Sequence, residues 1–115
     1  MPLNDGIRIR HIIEAAESAQ RFCDAMDEAA FRADEKTQRA VIQCLEVIGE
    51  AARHVAEPTR VQIPDVPWKK IVGMRHRIAH VYFDIDLSLV WEVVAKDLGP
   101  LRTALLRWES QVVEV

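Results

Sequence analysis

The chain has 115 residues, of which 50% are hydrophobic and 29% are charged, and its formal net charge is -3 at pH 7. This balance predicts a single domain over residues 1–115, and the negative charge argues against a protein that coats nucleic acid non-specifically. The chain contains no apolar run suited to a signal peptide or membrane span. Its two cysteines lack metal-ligand spacing, which favours a reduced, cytoplasmic protein.

The first predicted element is a helix that begins at Asn4 or Asp5 and ends near Met26. Its apolar residues recur at spacings of three and four, which places them in one stripe along the helix. The polar stretch from Asp24 to Ala33 is predicted to be a connection that holds a short helical turn around Phe31.

A second long helix is predicted from about Lys36 to Ala56, with Asp34 or Thr37 near its start. Gly49 lies inside this helix and costs roughly 1 kcal/mol of helix propensity against alanine. We therefore expect another helix to approach Gly49 closely. The apolar residues step by four and three, as in a helix-packing seam: Val41, Leu45, Ile48, Ala52 and Val55.

Three prolines predict a loop from Glu57 to Val66, and a third helix is expected to begin near Pro67. The segment from Phe83 to Ile85 is predicted to be a tight connection, after which Asp86 caps a fourth helix. The predicted apolar face of the third helix consists of Ile71, Met74, Ile78 and Val81.

The fourth helix contains Gly99-Pro100, a pair that is expected to kink or restart it. The chain shows no hairpin signal and no internal repeat. The predicted fold class is therefore all-α: a four-helix, mostly antiparallel bundle with a kinked last helix.

The groups that can hold a phosphate and move a proton are concentrated in the third helix and just beyond it. From Val66 to Phe83 the chain has four basic residues, two histidines and no acidic residue. Arginine binds phosphate oxygens in a bidentate manner, and histidine gains or loses a proton near neutral pH. The residues concerned are Lys69, Lys70, Arg75, His76, Arg77 and His80, with Tyr82 close behind.

On an ideal helix five residues turn through about 500°, so the side chains of Arg75 and His80 point roughly 140° apart. Either the helix ends near His80, or a second copy of the chain completes the site across a two-fold axis. We favour the second arrangement. One histidine could then remove the 2'-hydroxyl proton of RNA while another protonates the leaving 5'-oxygen, without a metal.

Other interpretations stay open on these residues alone. An arginine and a histidine at this spacing occur by chance in many helices, and Arg75 could simply hold a carboxylate on a neighbouring helix. His76 and His80 are four apart, which is metal-ligand geometry, and Asp84 and Asp86 follow them. Because a matched third ligand is missing, we expect no metal. Spacing does not decide whether the tyrosine is a half-buried aromatic or a reactive phenol.

The pattern Arg75-x4-His80-x-Tyr82 resembles the signature of the HEPN superfamily, in its HepT-like toxin branch. The resemblance covers roughly Ile9 to Leu106, so it extends far beyond the motif. The segments that resemble the family most are residues 47–52, 63–74, 82–86 and 90–94.

This resemblance implies a metal-independent endoribonuclease that uses no cofactor and forms a homodimer with both motifs at the interface. It implies that Arg75 stabilises the phosphate charge and that His80 does the acid/base work. His76 stands where the family often has asparagine, and it is expected to support or share that work. The chemistry needs a 2'-hydroxyl, so the expected substrate is tRNA or mRNA rather than DNA.

The resemblance also implies a toxin of a type VII toxin–antitoxin system. The implied partner is a minimal nucleotidyltransferase (MNT) antitoxin, which transfers AMP from ATP to the motif tyrosine, here Tyr82. Arg77, Lys69 and Lys70 are expected to bind the RNA backbone. The alternative is a non-catalytic helical module that binds nucleotide or RNA.

Overall fold

The computed structural model describes residues 4–78 and 85–113, and the elements in these ranges are helices, which confirms the all-α class. The predictions that concern Val81 and the connection from Phe83 lie outside the described residues. A π-helical turn, Val93–Asp97, separates the last two α-helices. The α-helices are α1 (Asp5–Phe22), α2 (Glu28–Arg32), α3 (Glu35–Arg53), α4 (Glu57–Gln62), α5 (Trp68–Val72), α6 (Met74–Ile78), α7 (Leu87–Glu92) and α8 (Leu98–Val113).

The bundle is built around α1 and α3, which pack along each other. Helix α8 covers another side of α1, and α5 and α6 pack on α3. The predicted apolar stripe of α1 and the seam of α3 are buried in one continuous core, as their periodicity requires. None of the helices in the described ranges is long and apolar enough to cross a membrane.

Helix α1 ends at Phe22, four residues before the predicted end at Met26. The helix cannot extend to Met26, because Ala25 has a φ of 65°, which lies in the left-handed region and cannot continue a right-handed helix. The helical turn expected around Phe31 is confirmed as α2, and this phenylalanine is fully buried.

Helix α3 begins as predicted beside Asp34, whose carboxylate accepts a 3.0 Å hydrogen bond from the Thr37 backbone N–H. The Thr37 hydroxyl donates a second bond of 2.7 Å. These two bonds lower the pKa of the Asp34 carboxyl. Asp34 therefore stays ionised at the positive end of the α3 dipole, where a negative charge is stabilising.

The loop predicted from Glu57 to Val66 is wrong in its first half, because α4 occupies residues 57–62. Pro58 lies in the first turn of α4, where a backbone N–H would form no hydrogen bond within the helix, so a proline costs nothing there. The predicted end of the second helix at Ala56 is also wrong. The Arg60 side chain donates to the carbonyl oxygens of Ala52 and Val55, at 2.9 and 3.0 Å, and so closes α3 at Arg53.

The third predicted helix is broken into α5 and α6 at Gly73. The close approach expected at Gly49 is confirmed: a Cβ there would lie 3.4 Å from the carbonyl oxygen of Ile71 in α5. A Cβ at Gly49 would thus be in van der Waals contact with the backbone of α5, so the two helices approach closely at this point.

The prediction that Asp86 caps the helix after it is confirmed, because its side chain accepts a 3.0 Å hydrogen bond from the Leu89 N–H. The expected irregularity near Gly99-Pro100 is present, but it lies earlier, in the π turn. There the Leu98 N–H bonds to the Val93 carbonyl, five residues back. Pro100 has no N–H to offer the carbonyl four residues before it, which disfavours a regular turn at this place.

Candidate active site

Helix α6 carries the middle of the predicted motif. Met74 and Ile78 are buried at its two ends and anchor it to the core. Arg75 and His76 are exposed on the opposite side. The remaining motif residues, His80 and Tyr82, lie outside the described residues.

Arg75 and His76 line a groove of about 600 Å³ between α6 and α3. The structure therefore brings two of the predicted site residues to one surface. The opposite wall comes from α3 and is mainly polar; its side chains include Gln43, Glu46, Glu50 and Arg53.

The contact across the groove joins the Nε atom of Arg75 to the Oε2 atom of Glu46, 3.7 Å apart. At this distance the two side chains form an ion pair, but the Nε and Oε2 atoms are too far apart for a hydrogen bond. The Arg75 side chain is 77% exposed, and pairs this exposed contribute only ~0–1 kcal/mol. Arg75 thus does face a carboxylate on a neighbouring helix, yet its guanidinium stays accessible to a phosphate.

Glu50, one turn further along α3, is held differently. Its Oε2 atom accepts a 3.0 Å hydrogen bond from Arg53 and lies 3.0 Å from the Nε2 atom of His54. The hydrogen bond from Arg53, and then that from His54, lower the pKa of the Glu50 carboxyl. Glu50 is therefore an ionised wall residue whose charge is already paired within α3.

The three predicted RNA-backbone residues are not brought to this groove. Lys69 is exposed, and the Nζ atom of Lys70 lies 4.0 Å from the Oδ2 atom of Asp97 in the π turn. Arg77 is partly buried, and its Nη1 atom finds no hydrogen-bond partner among the described residues. None of these three cations is among the described residues that line the groove with Arg75 and His76.

The described ranges, 4–78 and 85–113, contain no group of three His, Cys, Asp or Glu side chains that could hold a metal ion. Asp86, considered above as a metal ligand, accepts the capping hydrogen bond of α7.

Burial raises the pKa of Cys23 and of Cys44, which keeps both thiols protonated and weakly nucleophilic.

A family model described as Ribonuclease HepT-like matches residues 12–107. A Methanocaldococcus jannaschii protein named "Putative RNase" is 37% identical over 91 residues, which are 79% of this chain and 84% of that protein. A Thermococcus cleftensis protein named "Probable ribonuclease HepT" is 34% identical over 94 residues, 82% of this chain and 86% of that protein. A "Putative RNase" of Caldanaerobacter subterraneus is 31% identical over 107 residues, 93% of this chain and 89% of that protein. No solved structure matches the chain.

Proposed function

This chain belongs to the HepT-like ribonuclease family, and from that membership we propose that it is a metal-independent endoribonuclease. The observation that carries the proposal is the placement of Arg75 and His76, exposed together on an open groove. A guanidinium can bind phosphate oxygens and an imidazole can transfer protons, and metal-free RNA cleavage can use both kinds of group.

In the proposed reaction the 2'-hydroxyl oxygen of RNA attacks the adjacent phosphorus, and the bond to the 5'-oxygen breaks. His80 removes the 2'-hydroxyl proton, and a second imidazole, from His76 or the partner copy, protonates the leaving oxygen. Arg75 binds the phosphate oxygens while negative charge develops on them. Lys69, which is exposed, can contact the RNA backbone beyond the groove.

We place this site at the interface of a homodimer. Arg75 and His80 are five residues apart, which on one straight helix aims them in different directions. A two-fold axis beside the groove would set two copies of the motif around one phosphate.

The purified protein is expected to cleave RNA in the presence of EDTA. The new ends should be 5'-hydroxyls and 2',3'-cyclic phosphates, because the nucleophile belongs to the RNA itself. End-specific sequencing of the products measures this, and an RNA with a 2'-deoxy residue at the cleaved position is the control. Cleavage that EDTA abolishes would contradict the mechanism, and a protein that binds RNA but cleaves none would favour the non-catalytic module.

The same proposal includes control by a partner. The protein acts as the toxin of a toxin–antitoxin pair, and an MNT antitoxin transfers AMP to Tyr82. An AMP adduct two residues from His80 adds bulk and negative charge, which would repel an RNA phosphate.

Tyr82 is the single tyrosine of the chain, so Tyr82→Phe removes every phenol without touching the motif cations. With the nucleotidyltransferase and ATP, the wild type is expected to gain the mass of AMP and to lose RNA cleavage. The Tyr82→Phe variant should gain no mass and keep cleaving. Intact-mass spectrometry and a cleavage assay on the same samples check this. An AMP adduct on the variant would place the modification elsewhere.

A further inference from the structure

The groove gives Arg75 a neighbour that the motif does not predict. Glu46 projects from α3, and its carboxylate lies 3.7 Å from the Nε atom of Arg75. The side chain of Glu46 is 40% exposed, against 77% for Arg75, so the carboxylate is the more enclosed member of the pair. A contact at Nε leaves the two terminal nitrogens of the guanidinium available to bind the oxygens of a phosphate.

The two side chains of the pair differ in how far they are exposed. Glu46 lies between Leu45 and Ile48, which are both fully buried in the core face of α3. Beside them, Gly49 packs α3 directly on the backbone of α5. Arg75, by contrast, has a long and more exposed side chain, which loses rotational freedom when it is held in one place.

We propose that Glu46 is a positioning residue for Arg75: it holds the guanidinium on the α3 side of the groove, ready to receive the phosphate. This inference rests on the ribonuclease function proposed above. The same carboxylate also repels the incoming phosphate, because both groups are negative and share one cation. Glu46 therefore weakens RNA binding but keeps the guanidinium of Arg75 correctly oriented.

Two variants separate these effects. Glu46→Gln removes the charge, so kcat should fall about fivefold as the aim of Arg75 is lost. Affinity for a non-cleavable, 2'-deoxy-substituted RNA should rise about threefold as the repulsion disappears. Glu46→Asp keeps the charge but is one methylene shorter, so kcat should fall while that affinity stays unchanged. A residue that acted only through stability would lower the active fraction and leave RNA affinity as it is.

Glu35→Gln is the matched control. Glu35 is also on α3 and pairs with Arg39, but it lies eleven residues from Glu46, roughly 16 Å along the helix. That separation exceeds the Debye length of about 8 Å at physiological ionic strength. The control variant should therefore match the wild type in kcat and in RNA affinity.

A double-variant test asks whether Glu46 acts through Arg75. In an Arg75→Lys background the Nε contact is gone, so adding Glu46→Gln should lower kcat no further. If the wild type cleaves RNA and Glu46→Gln leaves both kcat and RNA affinity unchanged, the positioning role is overturned and the proposed function stands. A full additional fivefold loss in the Arg75→Lys background also overturns it. If the wild type cleaves no RNA, the proposed function fails and takes this role with it.

Discussion

Replacing either Arg75 or His80 with alanine is expected to lower RNA cleavage by about 10²–10⁴-fold, since each would remove one necessary part of the reaction. The Arg75 variant should stay folded, because the side chain is 77% exposed and its contact with Glu46 is too long for a hydrogen bond. Cleavage of a labelled RNA gives the rate, and circular dichroism gives the fold.

Arg39→Ala and His11→Ala are suitable controls, since both side chains are exposed and neither lines the groove. They should leave cleavage unchanged. Full activity of the Arg75 or the His80 variant would contradict the proposed mechanism.

The dimeric site can be tested by mixing the two inactive variants. A heterodimer of the Arg75→Ala and His80→Ala chains still contains one intact arginine and one intact histidine. If the site takes these from different copies, the mixture should recover part of the activity that both homodimers lack. Heterodimers that form, as native mass spectrometry would show, but stay inactive would contradict a site shared in this way.

Ile48→Ala is expected to lower the free energy of unfolding by about 2–5 kcal/mol, because it opens a cavity in the core face of α3. Ile48 is fully buried, and a small domain has only about 5–15 kcal/mol of total stability. Its neighbour Val47 is 38% exposed on the groove side and is the matched control. Val47→Ala should cost less than about 1 kcal/mol.

Urea denaturation of the two variants and the wild type measures the difference. The expected order follows from the rotation of the helix, which turns adjacent residues to different sides. Equal losses for Ile48→Ala and Val47→Ala would contradict the different burial of these two side chains.

The parts of the fold that depend on periodicity and capping could be predicted from the sequence. The seam of α3 is buried as expected, because a step of three or four residues returns to the same helix face. The caps at Asp34 and Asp86 were recognisable because each needs only one short polar side chain at a helix start. The helical turn at Phe31 was also predicted, since a single large apolar residue stands out in a polar stretch.

The errors have two causes, which are side-chain contacts between one helix and the next and unusual backbone geometry. The end of α3 depends on Arg60, whose side chain reaches back from α4 to the carbonyl of Ala52. The early end of α1 depends on one residue, Ala25, with a positive φ. A local sequence pattern does not predict that an arginine or an alanine will end a helix, because both residues are common inside helices.

The candidate site divides in the same way. The motif residues on α6 were recognisable because the basic and titratable residues stand close together in the sequence. Their resemblance to a family motif also lies within this short segment. Glu46 and Glu50 were missed, since acidic residues on an exposed helix face usually form only a solvated surface. A signal did exist: the polar wall of the groove steps by three, four and three residues, like the apolar seam on the other side of α3.

The π turn in residues 93–97 marks a position where the sequence can lose a residue without disturbing the core. Val90, Val94 and Leu98 are all buried, although eight residues of a regular α-helix would carry the last about 80° away from the first. The wider turn absorbs one residue and restores the alignment. Removing a residue there would leave seven, which fall only about 20° short of two ordinary turns. This turn is therefore a place where the deletion of one residue can be accommodated while α8 keeps its core face inward.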